Sequence, residues 1–349
     1  MNGAIRGLPD LRMFGISHAG SGRLEKKSRR RVLHDWRPSA EQMALWPAVS
    51  GNAINGLGET TVRRPSPIYW QTPGSTPHSH LQLWFYARPM SDEMIEARRE
   101  RQRALEAPLV PLAAEPAQAP PERWAEDVKR AALACGADVV GIARIRPEWI
   151  FEGRELQSAW AVMLGVGQRY DAIRTAPDVA AGAEVIRQYA RGSWAAKRLA
   201  NWIRQQGHDA TPHSGPMSGP MAMIPAAIEA GLGELGKHGS LIHRQLGSNF
   251  RLAMVVTDLP LVADERDAFG GDEFCQHCRL CVDECPPQAI QHEKQWVRGE
   301  ERWYVDFDRC LPFFNEHHGC AICVAVCPWS RPGVPANLLV KLAVKRQRG

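Results

Sequence analysis

The chain has no run of eighteen or more apolar residues, so the sequence predicts no membrane-spanning helix. It has no repeat of 20–50 residues, which excludes solenoids and propellers. Cysteine is almost absent from the first three quarters. Of nine cysteines in 349 residues, only Cys135 precedes position 275. Acidic charge is sparse at the start. Residues 1–121 carry 16 Lys/Arg against 11 Asp/Glu, which accounts for the whole net charge of +5, and Lys26–Arg31 is the densest point. That cluster reads as a solvated tail or as a contact for an acidic partner, headgroups or nucleic acid. The stretch "SRRRVLHDW" has the arginines of a twin-arginine export signal, but polar "HDWRPSAEQ" follows where an apolar segment is required. The expectation is therefore a cytoplasmic protein, whose thiols stay reduced and are better suited to metal than to disulfides.

What is present begins without a period. Residues 1–90 scatter Gly, Pro and Trp, and no fold is assigned to them beyond some packing around Trp36, Trp46, Trp70 and Trp84. A helix is predicted over 91–107 with Ser91 as N-cap. "PLVPLAAEPAQAPPE" then reads as a linker. A second helix opens at Pro121 and stops at Gly136, leading into a strand "DVVGIARI". Further strands are expected at 158–167 and 250–262, with a long helix over 183–206 and a short one at "AAIEAGLGELG". Alternating strands and helices predict an α/β or α+β body. The expected divisions are 1–121 (with a linker at 108–121), a body at 122–264, a cysteine module at 265–335 and a tail at 336–349.

The module carries the chemistry. Cys275-x2-Cys278-x2-Cys281-x3-Cys285-Pro286 is followed by Cys310 and by Cys320-x2-Cys323-x3-Cys327-Pro328. Spacings of two let one loop place three thiolates on a 4Fe–4S cubane, while the cysteine before proline reaches the other cluster. That logic assigns Cys275, Cys278, Cys281 and Cys327 to one cluster, and Cys285, Cys310, Cys320 and Cys323 to the other. Cys310 is irregular, standing ten positions before Cys320. Zinc knuckles also use Cys-x2-Cys, but do not require the doubled pattern. Cys135 reads as a small packed residue. Two clusters imply one-electron transfer, and the body in front of them is large enough to hold a second redox centre or a substrate pocket.

The run "AAIEAGLGELGKHGSLIHRQLGSNFRLAMVVTDLPLV", followed by "EFCQHCRLCVDECPPQAI" and "GCAICVAVCPWS", resembles the corrinoid-dependent reductive dehalogenases. The likeness spans approximately residues 122–330 and includes "GADVVGIARI". The epoxyqueuosine reductases of tRNA modification are a sister family with the same layout. The resemblance implies an α+β, nitroreductase-like body holding base-off cobalamin, with a ferredoxin-like module of two 4Fe–4S clusters. It implies an organohalide substrate, and a ferredoxin, flavodoxin or reductase as electron donor. Gly231, Gly233, Gly236, Lys237, His238 and Gly239 fall on its cofactor-binding segment, although these glycines also read as turn and cap residues. Tyr189 matches the proton donor and Arg251 the cation beside it. An apolar helical stripe is, however, also an ordinary place for a packed tyrosine.

Two departures stand out. "SGPMSGP" replaces the family's "GND", leaving Ser218 as the nearest polar substitute, with Met217, Met221 and Met223 as a soft apolar wall. His213 reads as a surface residue or as part of that wall. No acid occurs in "HSGPMSGP", which counts against the tRNA-modifying reading. An electron carrier that has lost its corrinoid is the third reading.

Overall fold

A computed structural model describes residues 35–216 and 219–348. The predicted basic cluster at 26–31, Met217 and Ser218 lie outside the described residues. No described helix is long and apolar enough to cross a membrane.

The body is built on the apolar strand β2 (Trp160–Gly167), whose six inner residues are all buried. It pairs with β1 (Val139–Arg144) on one side and β6 (Phe250–Thr257) on the other, and β3 (Ala210–Ser214) completes the order β1-β2-β6-β3. Every pairing is antiparallel. The α/β alternative is thereby corrected to α+β, because a parallel strand pair is absent from this sheet. Alternation along β2 sends Val162 and Leu164 to one face, and Ala161 and Met163 to the other.

Five described helices run ten residues or longer: α1 (Asp92–Glu106), α2 (Pro121–Ala134), α3 (Val179–Gln205), α4 (Phe307–Glu316) and α5 (Val334–Arg348). Helix α2 opens on Pro121, as its sequence predicts, and packs Trp124 and Val128 with Leu199 and Ile203 of α3 over the first sheet face. Helix α1 is capped by Ser91, whose hydroxyl accepts from the Met94 amide at 3.2 Å. Its Glu100 accepts from the Trp194 indole of α3 at 2.6 Å.

Three expectations change. The short helix spans Met223–Glu229 instead of starting at Ala226. It stops because the glycines that follow turn the chain into a hairpin of β4 (Glu234–Leu235) and β5 (Leu241–Ile242). The strand expected over 250–262 ends at Thr257. The presumed linker is a strap along α3. Arg204 Nε donates to the Val110 carbonyl at 2.8 Å, Asn201 Oδ1 accepts from the Val110 amide at 3.0 Å, and the Ala113 amide reaches the Arg204 carbonyl at 3.0 Å. Proline keeps this segment extended, but its polar groups are spent on the helix.

The N-terminal stretch, unassigned from sequence, folds onto the cysteine module. Tyr69 donates to Asn315 Oδ1 at 2.6 Å, Asn315 donates to Gln42 Oε1 at 2.8 Å, and the Trp36 indole donates to Glu316 at 3.0 Å. Phe85 stacks on Phe314 with centroids 5.6 Å apart. These residues of α4 lie more than 200 positions from their partners. A hairpin of β7 (Gln295–Val297) and β8 (Glu300–Arg302) also belongs to the module, and an isolated bridge from Leu57 to Val297 joins it to the N-terminal stretch.

Candidate functional site

The eight module cysteines form no disulfide, and four of them, Cys275, Cys281, Cys285 and Cys327, are buried. Burial is the main cause of the raised pKa of seven of them, and neighbouring thiolates add to it in most. Cys275, pushed up to about 12, is close enough to feel Cys327 and Cys278. Cys281 is raised by burial and by Cys323, Cys275, Cys327 and Cys278. Burial likewise raises Cys310, with Cys323 and Cys285 adding to it, and Cys320, with Cys323, Cys310 and Cys285. Cys281 and Cys323 are close enough to influence each other across the two sets expected from spacing.

A cavity of about 330 Å³ is lined by all four members of the second quartet, Cys285, Cys310, Cys320 and Cys323. Among the described residues no three His, Cys, Asp or Glu side chains converge as a single-ion site. Donors turn toward the sulfurs: the Lys237 amide to Cys275 at 3.5 Å, the Ala289 amide to Cys285 at 3.4 Å and the Ser248 hydroxyl to Cys327 at 3.9 Å. Such bonds favour thiolate and tune iron–sulfur potentials.

A second cavity, of about 1090 Å³, opens between the body, the module and the N-terminal stretch. Tyr189, Arg251, Phe250, Met223 and Leu241 face it from the body, while Tyr69 and Trp70 face it from the opposite side. Cys310 lines both cavities, so the quartet that contains it borders the larger one.

Tyr189 and Arg251 are brought together as their sequence positions suggested. The guanidinium carbon lies 5.8 Å from the ring centroid. Helix α3 carries the tyrosine, and β6 carries the arginine beside it. Gly215 makes room for the ring: a Cβ at that position would come within 2.3 Å of Tyr189 Cε1. Arg251 Nε is buried without a hydrogen-bond partner, although another of its nitrogens donates to the Phe250 carbonyl at 3.1 Å. Ser218 falls on the undescribed pair of residues.

The segment around Lys237 divides its duties. Gly231 and Gly233 take positive φ, 73° and 119°, and pack against the carbonyls of Glu265 and Ile242. Gly236 lies beside the His238 ring, and Gly239 beside Val305. His238 is buried, shares a 2.9 Å hydrogen bond with Ser248 Oγ, and has its pKa lowered to about 4 by burial. His238 and Gly239 line the smaller cavity. From this hairpin it is Glu234, Leu235, Ser240 and Leu241 that line the larger one. Met221 is fully buried in the core beneath it. His213 is half-buried rather than on the surface, and burial lowers its pKa to about 4. Cys135 is partly buried against the sheet core, as its sequence context suggested.

Sequence reasoning missed Tyr69, Trp70, Arg298, Arg302 and Trp303 on the large cavity. It also missed Arg101 of α1, whose Nε donates to the Gly215 carbonyl at 3.2 Å behind Tyr189. No local motif marks them, because they come from distant segments.

Comparison with known proteins places these features. Residues 274–330 match the family model described as a 4Fe-4S dicluster domain. A tetrachloroethene reductive dehalogenase of Desulfitobacterium hafniense is 37% identical over 210 residues, covering 56% of this chain and 37% of that protein. An epoxyqueuosine reductase of Synechococcus sp. (strain CC9605) is 27% identical over 268 residues, covering 62% of this chain and 78% of that protein. Among solved structures, a reductive dehalogenase that suggests a mechanism for B12-dependent dehalogenation superposes with a TM-score of 0.71 at 22% identity, covering 92% of this chain and 49% of that one. The chain thus spans half or less of the length of these dehalogenases. In sequence the chain is similar to the reductive dehalogenases and to the epoxyqueuosine reductases, and in fold it is similar to a solved reductive dehalogenase.

Proposed function

We propose that the chain performs reductive dehalogenation of a small organohalide, using two 4Fe–4S clusters and a base-off cobalamin. The single observation that carries the reading is the shared wall at Cys310, where a four-cysteine cavity adjoins a much larger one containing Tyr189 and Arg251. At about 1090 Å³ the larger cavity exceeds the roughly 300–1,000 Å³ of ordinary small-molecule sites, which leaves room for a large cofactor together with a substrate. Leu235, Ser240, Leu241 and Phe250 of the body and Leu311, Phe314 and Tyr69 of the module and N-terminal stretch all line it. A cobalamin held there supplies a strongly reducing metal for breaking a carbon–halogen bond.

The chain's own residues account for the rest. Two electrons and one proton convert carbon–halogen to carbon–hydrogen and halide. The quartet of Cys275, Cys278, Cys281 and Cys327 and the quartet of Cys285, Cys310, Cys320 and Cys323 hold the iron that carries electrons one at a time. The Tyr189 hydroxyl gives its proton to the substrate carbon. The ordinary tyrosine pKa near 10 makes it a weak acid, so the Arg251 charge stabilises the phenolate left behind. Trp70, Phe314 and Met223 supply apolar surface to the same cavity, whose lining also carries charged residues such as Arg298, Arg302 and Glu234. A ferredoxin, a flavodoxin or a reductase is the proposed electron source.

The test is halide release from a panel of halophenols by anaerobic protein reconstituted with iron, sulfide and cobalamin. Epoxyqueuosine reduction in tRNA is measured in parallel. Halide release that depends on added corrinoid is the expected result. Reduction of epoxyqueuosine alone would move the assignment to the second family, and protein that retains no corrinoid would leave an electron carrier.

A further inference from the structure

Lys237 is among the largest side chains in the protein that are fully buried, with 2% of its surface exposed. Its ammonium donates to the Cys278 carbonyl at 3.0 Å and lies 4.8 Å from the centre of the Trp303 ring. Its own amide points at Cys275 Sγ. Among the described residues no carboxylate stands within ion-pair distance of it. Asp272, the acid close to both Cys275 and Trp303, is already engaged by the Trp303 indole at 2.6 Å and by Lys294 at 2.7 Å. Burying an ammonium without a countercharge costs several kcal/mol, and one carbonyl with one aromatic face offsets only part of that. The missing negative charge has an evident source. Four thiolates around a cubane leave the first quartet with net negative charge, which increases when the cluster is reduced.

We infer that the Lys237 ammonium is the built-in countercharge of the cluster held by Cys275, Cys278, Cys281 and Cys327, and that it raises the reduction potential of that cluster alone. This rests on the two-cluster reading above. Reduction adds an electron beside a fixed positive charge in a water-poor setting, so the reduced form gains more from Lys237 than the oxidised form does. Among the described residues no lysine ammonium contacts the second quartet, whose cavity is lined instead by Arg298 and Arg302. The two clusters, alike in ligand set, thus have different basic neighbours, and Lys237 adds its pull on electrons at the first quartet alone.

The experiment is a redox titration of the anaerobically purified holoprotein, followed by electron paramagnetic resonance, for wild type, Lys237→Met and Lys237→Arg. Lys237→Met should lower the ratio of reduced to oxidised first cluster at least tenfold at fixed ambient potential, about 59 mV for a one-electron couple. Lys237→Arg should restore most of the loss, and the second cluster should not move. An unmoved potential with all eight irons in place overturns the inference, as does a shift confined to the cluster that contains Cys310. Should Lys237→Met lose four irons, retention of eight in Lys237→Arg supports the need for charge. Loss in both variants assigns the residue to packing and overturns the inference. An iron count far below eight in the wild type removes the two-cluster reading itself.

Discussion

The Arg251 guanidinium sits 5.8 Å from the centroid of the Tyr189 ring, with both side chains facing the large cavity. That pairing sets the hydroxyl proposed as proton donor beside a cation. Replacing the tyrosine by phenylalanine keeps the ring that fits against Gly215 and removes only the acid. Tyr189→Phe is expected to lower halide release about 10²–10⁴-fold while iron and cobalt contents stay at wild-type levels. Arg251→Lys should retain part of the rate and Arg251→Leu almost none. Near-normal turnover in Tyr189→Phe would remove it as the donor.

Cys310 is the thiol that spacing alone leaves least certain, and it is also the one common to both cavities. Cys310→Ala should halve the iron content and abolish one of two reduced-cluster resonance signals, leaving the other unchanged. Dehalogenation should fall with it, because the cluster next to the large cavity is the one lost. Full iron content in this variant would exclude Cys310 as a ligand.

His213 lies on β3 with Gly219 closely packed on its ring, and burial lowers its pKa to about 4. Unfolded, the imidazole takes up a proton near pH 6.5. Between pH 6.5 and about 4 the unfolded chain therefore binds the extra proton, so this residue's contribution to stability is lost as pH falls through that window. It is intact above pH 7. His213→Gln should flatten the pH dependence of the denaturation midpoint between pH 7 and 5, by at most on the order of 2 kcal/mol. An unchanged slope would show that the ring is already protonated or exposed in the native protein.

Much of this architecture can be read from local pattern. Pro121 and Gly136 bracket α2 because one presets the helical φ and the other ends it. The apolar run 160–167 reads as a buried strand, and it lies centrally between β1 and β6. The doubled cysteine motif marks an iron–sulfur module by its spacing, and residues 274–330 match the 4Fe-4S dicluster domain model. Other parts are not local. Tyr69, Trp70, Arg298 and Trp303 meet on the large cavity because the N-terminal stretch folds back on α4, and no periodicity in residues 35–86 announces that. The helix at Met223–Glu229 is misplaced by pattern alone, since Gly231 and Gly233 break the helix that the apolar spacing appears to continue. The strap at 108–120 has a linker's composition, and only the side chains of Asn201 and Arg204 reveal that it is held.

The bond from the Trp36 indole to Glu316 closes 280 residues of chain. The same stretch is also tied to the body, where Arg64 Nε donates to the Ile150 carbonyl at 2.9 Å and the Glu152 amide donates to the Pro65 carbonyl at 2.9 Å. A version of the protein beginning after residue 86 would keep its cysteines but leave the flank of Phe314 bare to water.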